Sequence, residues 1–358
     1  MTVNPLRETK PAVAVFGAAA HTGRFVVLEL LRHGIAPIAI ARNLATLSAA
    51  NFGDGDVSRR EASVDDLDSL NRALAGAHAV INCAGPFLET ADAVTAAALR
   101  TGIHYLDVTA EQPSAHATLD KYDIPARKAG IAVVPGMGFY GGFADLLVTA
   151  ALGDWSRADT IEIMIGLDSW HPTRGTRITG VKNTARRMVI TDGEFTPVPL
   201  PPAEKDWDFG DPLGRQAMVE VPLSEIILIG RHVKTGELRT YLSSVALRDI
   251  RDLATPAPKP ADATGRSSQR FVVDAVIKRD GKSRRITARG RDIYAFSAPL
   301  VSEATACLIE GRFKGAGAQP PGAFFDAPKI LSALTPTFSC SKSPLHDRAQ
   351  TLRPAGAY

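Results

Sequence analysis

The architecture of this chain follows from residues 12–42, AVAVFGAAAHTGRFVVLELLRHGIAPIAIAR. Residues 12–16 are an apolar run of strand type, residues 17–23 form a glycine turn, and residues 24–33 carry apolar side chains at helical spacing. Gly34 ends that predicted helix, and residues 35–41 predict a second strand. Strand, turn, helix and strand in this order form the unit that holds a dinucleotide at its first turn.

The glycine turn predicts the contacts to the cofactor phosphates. Gly17 lets the backbone turn sharply off the strand, and Gly23 lets the helix pack close to the sheet. The helix start offers free N–H groups and a positive dipole end to a pyrophosphate. Ala20 stands where a middle glycine would bring the phosphates closest. The predicted cofactor-binding residues of the turn are Gly17, Ala18, Ala20, His21, Thr22 and Gly23.

Arg42 predicts the form of the cofactor. A cofactor without a 2′-phosphate usually meets an acidic residue at the end of the second strand, whereas a guanidinium can form a bidentate pair with a 2′-phosphate. We therefore expect NADP(H), and the alternative is a solvated arginine after a strand. Asn43 is assigned to the same site and is also a candidate N-cap of the next helix. Asp65 is predicted to lie beside the adenine, although it or Asp66 could equally be a helix cap.

Length and composition bound the class of protein. The 358 residues allow two domains, and 45% apolar with 22% charged residues is typical of a soluble globular protein. The net charge of +3 includes no dense basic block, which argues against a nucleic-acid partner. The three cysteines form no CxxC pair, so we predict neither a metal site nor a disulfide framework. A cytoplasmic location is expected, because no apolar run reaches the length of a membrane span. Membrane contact is not part of that expectation, although peripheral contact stays open.

Two further strands of the first half predict site residues at their ends. The buried run 79–85 should bring Ala84, Gly85 and Pro86 to the nicotinamide half of the cofactor. Residues 104–109 form a strand with interleaved polar side chains, so His104, Asp107, Thr109 and Glu111 are site candidates. An equal alternative is that Asp107 and Glu111 cap the helix that begins near residue 114. After a strand at 131–134, four glycines within residues 136–142 indicate a backbone that packs closely against a neighbouring group.

Taken together, these motifs resemble the saccharopine dehydrogenase-like oxidoreductases, a group that includes trans-acting enoyl reductase-like members. The segments that carry the resemblance are GAAAHTGR (17–24), IARN (40–43), NCAGPF (82–87), HYLDVTAE (104–111) and GMGFYGGFAD (136–145), and RGT (174–176) resembles the family's Ser-x-Gly-Thr turn. The resemblance implies an NADP-binding Rossmann domain and a second α/β domain inserted before the last helices. Residues 140–144 depart from the family's usual Asp-Ser-x-Pro-Ser, and Ala20 replaces a glycine.

The second half of the chain predicts a different architecture. Residues 160–167 alternate as a half-exposed strand, and Asp280-Gly281 predicts a hairpin between residues 270–278 and 283–291. The fold class is therefore α/β, a Rossmann-type doubly wound parallel sheet plus an α+β domain with a mostly antiparallel sheet. The predicted domains are residues 1–154, 155–312 and 313–358, the last returning to the first domain. The remaining predictions are a helix at 181–187, a long surface loop at 196–214, a strand at 226–229, and a loosely held tail after residue 336.

The predicted function is hydride transfer between NADP(H) and a small substrate with a polarised C=C, C=N or C=O bond. Such chemistry needs a proton donor within hydrogen-bond reach of the acceptor. Tyr140, in the turn that should face the nicotinamide, is the first candidate, followed by His171 and then His104. Arg174 could orient a carboxylate or polarise a carbonyl. The positive charge from residue 174 to 187 suits an anionic substrate or the cofactor phosphates, or is simply a solvated basic loop.

Two alternatives stay open at this point. One is a protein that holds NADP(H) as a sensor or scaffold without turnover, and the other is an amino-acid dehydrogenase that reduces an imine. Acceptor identity, reaction direction and oligomeric state do not follow from the residues, and a homodimer is left open.

Overall fold

The computed structural model describes residues 10–335 and 337–344. The described residues form sixteen strands: β1 (Ala12–Phe16), β2 (Ala36–Ala41), β3 (Ser58–Glu61), β4 (Ala79–Asn82), β5 (His104–Asp107), β6 (Ala132–Val134), β7 (Arg157–Leu167), β8 (Met188–Thr191), β9 (Glu194–Pro197), β10 (Glu204–Asp208), β11 (Arg215–Glu220), β12 (Lys234–Ser243), β13 (Arg270–Arg279), β14 (Lys282–Arg291), β15 (Gly317–Ala318) and β16 (Phe338–Pro344).

Twelve helices accompany these strands within the described residues: α1 (His21–Arg32), α2 (Leu44–Ala49), α3 (Leu67–Leu74), α4 (Phe87–Thr101), α5 (Gln112–Ala129), α6 (Ala144–Leu152), α7 (Arg174–Lys182), α8 (Ser224–Gly230), α9 (Ser244–Arg251), α10 (Ile293–Ile309), α11 (Pro321–Phe324) and α12 (Ala327–Ala333). A short turn of π-helical hydrogen bonding, Phe139–Phe143, precedes α6.

The first sheet has seven parallel strands in the order β15-β6-β5-β4-β1-β2-β3. Side chains alternate between its two faces, and both faces are buried because helices cover each of them. Val13 and Val15 lie in one core with α1, whereas Ala14 and Phe16 lie in the other with α3, α4 and α5. The carboxyl ends of β1, β4, β5 and β6 therefore meet at one edge, which is where doubly wound sheets bind ligands.

The second sheet is mixed and mostly antiparallel, in the order β10-β11-β12-β7-β13-β14-β16, with β8 pairing with β12 and β9. Among these pairs only β12 with β7 is parallel. The predicted fold class is thereby confirmed. The Asp-Gly hairpin also forms between β13 and β14, with positive φ at Asp280 (49°) and Gly281 (74°).

We name the edge where the carboxyl ends of β1, β4, β5 and β6 meet “the crevice”. An aromatic core joins the two sheets behind it. Phe139 and Phe143, from the turn after β6, pack against Phe271 of the second sheet and Phe296 of α10, with ring centroids 4.5–6.2 Å apart. Helix α10 also packs against α1. The turn that carries Tyr140 is therefore held by the core of both halves.

Two element predictions in the second half are wrong. The apolar run at 226–229 lies in α8 rather than in a strand, and all four of its side chains are buried, so no helical periodicity marks it. The helix predicted at 181–187 is α7 instead, which begins at Arg174 because the Thr173 hydroxyl accepts a hydrogen bond from the Thr176 N–H at 3.1 Å.

Two segments predicted to be irregular contain strands. The Pro- and Asp-rich segment 196–214 holds β10, whose Lys205 and Trp207 turn toward the sheet while their neighbours are exposed. The tail after residue 336 begins with β16, which pairs with β14 of the second sheet, whereas β15 joins the first. Residues 345–358 of the predicted C-terminal return lie outside the described part. The domain boundaries remain predictions.

Candidate functional site

The glycine turn after β1 has the geometry that a dinucleotide needs. Gly17 has φ +80°, and a Cβ there would lie 2.9 Å from the Cβ and N of Ala84. A Cβ on Gly23 would lie 2.2 Å from the Gly17 carbonyl oxygen. Both positions therefore require glycine. Ala20 is the exposed N-cap of α1 and offers no side-chain acceptor to its first N–H groups.

The other predicted residues of the turn lie at the start of α1. Ala18 is buried and its N–H donates to the Ile40 carbonyl at 3.1 Å, while Thr22 is half-buried. His21 is the first helical residue, and its ring packs edge-on against Phe25 and Tyr294 with centroids 5.4 and 5.5 Å apart. Its Nε2 is buried without a partner. Burial lowers the pKa of His21, so the imidazole is neutral near pH 7.

The residues predicted for the adenosine half differ in how they are engaged. Arg42 is exposed after β2 and makes no hydrogen bond or ion pair with the described residues. Asn43 caps α2, its Oδ1 accepting from the Ala45 N–H at 2.7 Å. Asp65 is exposed and contacts Ser63, whereas Asp66 caps α3. Arg42 is thus the side chain here that could bind a 2′-phosphate without giving up an existing hydrogen bond or ion pair.

Side-chain hydrogen bonds hold the turn after β4. The Ala84 N–H donates to Asn82 Oδ1 at 3.0 Å, and the Thr90 hydroxyl donates to the Ala84 carbonyl at 2.6 Å. Pro86 is buried and is the N-cap of α4. A Cβ on Gly85 would lie 3.2 Å from Thr179 Oγ1. Helix α7 therefore lies directly against this turn.

Asp107 has a structural role at the site and is not exposed to a ligand. It is fully buried and accepts hydrogen bonds from the Gly136 N–H at 2.7 Å, the Thr109 N–H at 2.9 Å and the Tyr105 hydroxyl at 2.8 Å. Burial raises the pKa of Asp107 to about 6. The carboxyl group thus ties the turn after β5 to the turn after β6.

The other polar candidates of this segment are also structural. The Glu111 carboxylate accepts from the Phe87 and Leu88 N–H groups at 2.8 and 3.2 Å, so it caps α4 and not α5, the helix expected from sequence. Thr109 Oγ1 accepts from the Glu111 N–H at 3.0 Å. His104 begins β5, and its Nδ1 accepts from the Ala132 N–H at 3.0 Å. It lies at the amino end of the strand, opposite the crevice, which contradicts its candidacy as proton donor.

Tyr140 occupies the glycine-rich turn after β6. Its side chain is buried, its hydroxyl has no hydrogen-bond partner, and its ring lies 5.3 Å from that of Trp170 with a tilt of 30°. Burial raises the pKa of the Tyr140 phenol well above its usual value. Gly141, at φ +115°, leaves room for the Ser224 hydroxyl, which donates to the Thr109 and Tyr140 carbonyls at 2.9 and 3.2 Å.

A chain of aromatic side chains links Tyr140 to the cofactor turn. Trp170 Nε1 donates to the Tyr294 hydroxyl at 2.8 Å, and Tyr294 in turn packs on His21. We name these four residues, His21, Tyr294, Trp170 and Tyr140, the aromatic row. Trp170 and Tyr294 were not predicted, because no local pattern shows that a residue after β7 and one in α10 would meet.

His171 and Arg174 follow Trp170 along the chain. His171 Nδ1 is 3.2 Å from the Pro256 carbonyl, and Arg174 is exposed at the first position of α7 without a partner among the described residues. Glu225 was missed at the sequence level, since α8 was predicted to be a strand. It is fully buried, its Oε2 has no partner, and burial raises its pKa. Within residues 10–335 and 337–344, no group of three metal-ligating side chains comes together.

Comparison with known proteins finds relatives for part of the sequence. The sequence profile of the family "Saccharopine dehydrogenase NADP binding domain" matches residues 13–134. A "Probable mitochondrial saccharopine dehydrogenase-like oxidoreductase" of Arabidopsis thaliana is 26% identical over 187 residues, 47% of this chain and 41% of that protein. A "Lipid droplet localized protein" of Caenorhabditis elegans is 28% identical over 148 residues, 37% of this chain and 34% of that protein. The matched segments thus span less than half of either relative.

Among solved structures, apo saccharopine dehydrogenase (L-Glu forming) from Saccharomyces cerevisiae shares the fold. The TM-score is 0.68 at 15% identity, with 94% of this chain and 100% of that chain covered. The match extends over both sheets, so the shared fold includes the second half. The match of residues 13–134 shows that an NADP-binding domain is present, and the chain resembles saccharopine dehydrogenase-like oxidoreductases, as the sequence motifs predicted.

Proposed function

We propose that this chain, whose residues 13–134 belong to the saccharopine dehydrogenase NADP-binding domain family, transfers hydride between NADP(H) and a small molecule with a polarised C=C, C=N or C=O bond. The observation that carries the proposal is the aromatic row. It runs from the first residue of the phosphate-facing helix to a buried phenol without a partner. A buried hydroxyl left unpaired is costly, and such groups often serve in function.

The residues present fit an NADP cofactor. The α1 start has no side-chain cap, the buried His21 Nε2 lacks a partner, and Arg42 is exposed and unpaired among the described residues. Phosphate oxygens are acceptors that would satisfy each of these donors, with His21 presenting its Nε2 proton. When bound, the nicotinamide supplies or accepts the hydride.

The chain's own residues then handle the proton and the orientation. The raised pKa keeps the Tyr140 phenol protonated at neutral pH, so Tyr140 can hold the proton that the acceptor needs. Trp170 packs on that ring and is fixed by its bond to Tyr294, so it orients the phenol. Arg174, exposed at the start of α7, is the group proposed to meet an anionic substrate, and His171 is the alternative proton donor.

The first experiment is a titration of the purified protein with NADPH and NADH, followed by nicotinamide fluorescence. Tight NADPH binding and weak NADH binding support the proposal, and oxidation of bound NADPH by enoyl, carbonyl or imine acceptors in single turnover completes it. A requirement for an amino donor would identify imine reduction, the alternative substrate class. Binding without turnover on any acceptor would favour a sensor or scaffold, and binding of neither cofactor would overturn the proposal.

Arg42→Ala is expected to weaken NADPH binding by roughly 1–3 kcal/mol through loss of a charged hydrogen bond, while NADH binding changes little. Dissociation constants for both cofactors measure this. Arg72→Ala, on the exposed side of α3, is the matched control and should change neither constant. Equal losses for NADPH and NADH in Arg42→Ala would remove Arg42 from the 2′-phosphate site.

The proposal also includes the general class of partner and the cellular location. The described part of the chain contains no helix with the length and hydrophobicity of a bilayer span. The names of the two relatives place one in mitochondria and one on lipid droplets. For this chain we propose a cytoplasmic site of action on a small molecule without nucleic acid, and light scattering of the purified protein tests whether a homodimer forms.

A further inference from the structure

A group of exposed aliphatic side chains surrounds α7 at the mouth of the crevice. Val181 is 79% exposed, Leu253 88%, Leu88 45% and Ile178 36%. We name these four residues the α7 surface. They are half of the large hydrophobic side chains that stand exposed in residues 10–335 and 337–344, so their concentration at one place requires an explanation.

Polar contacts show that the three segments carrying these side chains are neighbours. Lys182 Nζ lies 2.5 Å from Glu89 Oε1, which brings the end of α7 beside the start of α4. Arg177 Nη2 donates to the Asp252 and Thr255 carbonyls at 3.2 and 2.7 Å, which brings α7 beside the segment after α9. Ile178 and Val181 are three residues apart on α7 and therefore share a face. None of the α7 side chains is buried, so this helix adds little to the core.

The charge around these aliphatic groups is mainly positive. Arg174, Lys182, Arg186 and Arg251 are exposed around them. The acidic neighbours are Glu89, which Lys182 already pairs, and Asp252. Asp249 is turned inward, accepting from the Trp170 N–H at 2.8 Å.

We infer that the α7 surface docks on an anionic lipid bilayer. Aliphatic side chains that project singly beside Lys and Arg suit the headgroup and acyl boundary, where the cations meet lipid phosphates and carboxylates. A protein partner would more typically be met by Trp or Tyr anchors fitted to pockets, and this surface has neither. Thr179, on the same helix, faces Gly85, so docking places the crevice mouth at the bilayer. The inference is independent of hydride transfer.

The test is co-sedimentation of the full chain with phosphatidylcholine vesicles, with and without phosphatidylserine. Wild-type protein should pellet with the phosphatidylserine vesicles and be released by salt. The double variant Val181→Asp/Leu253→Asp should lose affinity by about tenfold or more. Ile124→Asp, at a 64% exposed site on α5, is the matched control and should bind like wild type. Arg251→Gln should weaken binding about fivefold, and Lys278→Gln, at the far end of β13, should not.

Three results would overturn the inference. The first is absence of wild-type pelleting with phosphatidylserine vesicles. The second is equal binding by the double variant and Ile124→Asp. The third is a fall in solution mass of the double variant without vesicles, because the α7 surface would then be covered by a second copy of the chain. Unchanged NADPH affinity and thermal unfolding of the double variant establish that it is folded.

Discussion

Replacing Tyr140 by phenylalanine should lower kcat by roughly 10²–10⁴-fold, the usual contribution of a positioned proton donor. NADPH affinity should not change, because the hydroxyl is proposed to act on the acceptor. Thermal stability should stay equal or rise, because the variant removes a buried hydroxyl that has no hydrogen-bond partner. Loss of turnover in a protein that is no less stable is a combination that a purely structural tyrosine would not produce.

Tyr241→Phe is the matched control. Tyr241 lies on the second sheet beneath Lys205, whose Nζ is 3.9 Å from the ring centroid, and a phenylalanine keeps that contact. Its kcat should equal that of the wild type. Steady-state rates with the acceptor found in single turnover, together with melting temperatures, measure both variants. Unaltered kcat in Tyr140→Phe would exclude Tyr140 as the donor and leave His171 as the next candidate.

Asp107→Ala should cost about 3–5 kcal/mol of folding free energy. The change leaves the Gly136 and Thr109 N–H groups and the Tyr105 hydroxyl without their acceptor in a fully buried place. Denaturant unfolding measures the loss. Asp66→Ala is the control, because this exposed carboxylate only caps α3 and should cost about 1 kcal/mol. A loss no larger than the control's would mean that water replaces the buried carboxylate.

Asp107 also predicts a pH dependence of stability. Because burial raises its folded pKa to about 6, above the value of the unfolded chain, the folded state binds the proton more tightly. Its contribution to stability is therefore fully present below about pH 4 and is lost as pH rises through about 6, by up to about 3 kcal/mol. Asp107→Asn should abolish this component. The difference between the unfolding free energies of wild type and Asp107→Asn across this pH range isolates it, and a constant difference would contradict the raised pKa.

The dinucleotide unit could be predicted from sequence because its constraints are local. Gly23 is required by its contacts with Gly17 and Ala18, and Gly17 is required locally by its positive φ of +80°, while the atoms that a Cβ on Gly17 would meet belong to Ala84. The hairpin at Asp280-Gly281 is equally local, since positive φ at both residues is a property of the turn itself. The segments predicted wrongly, α7, α8, β10 and β16, are those whose state depends on what they pack against.

For the candidate site, the sequence by itself determined the dinucleotide turn, the arginine after β2 and the glycine-rich turn that holds Tyr140. Tertiary structure alone decided what surrounds them. Sequence could not distinguish a ligand-binding Glu111 from a cap, and the structure makes it the cap of α4, a helix more than twenty residues earlier. The aromatic row joins positions 21, 140, 170 and 294, whose contacts exist only because both sheets share one core. Local backbone geometry is encoded within a few residues, whereas a side chain's partners are fixed by burial against distant elements.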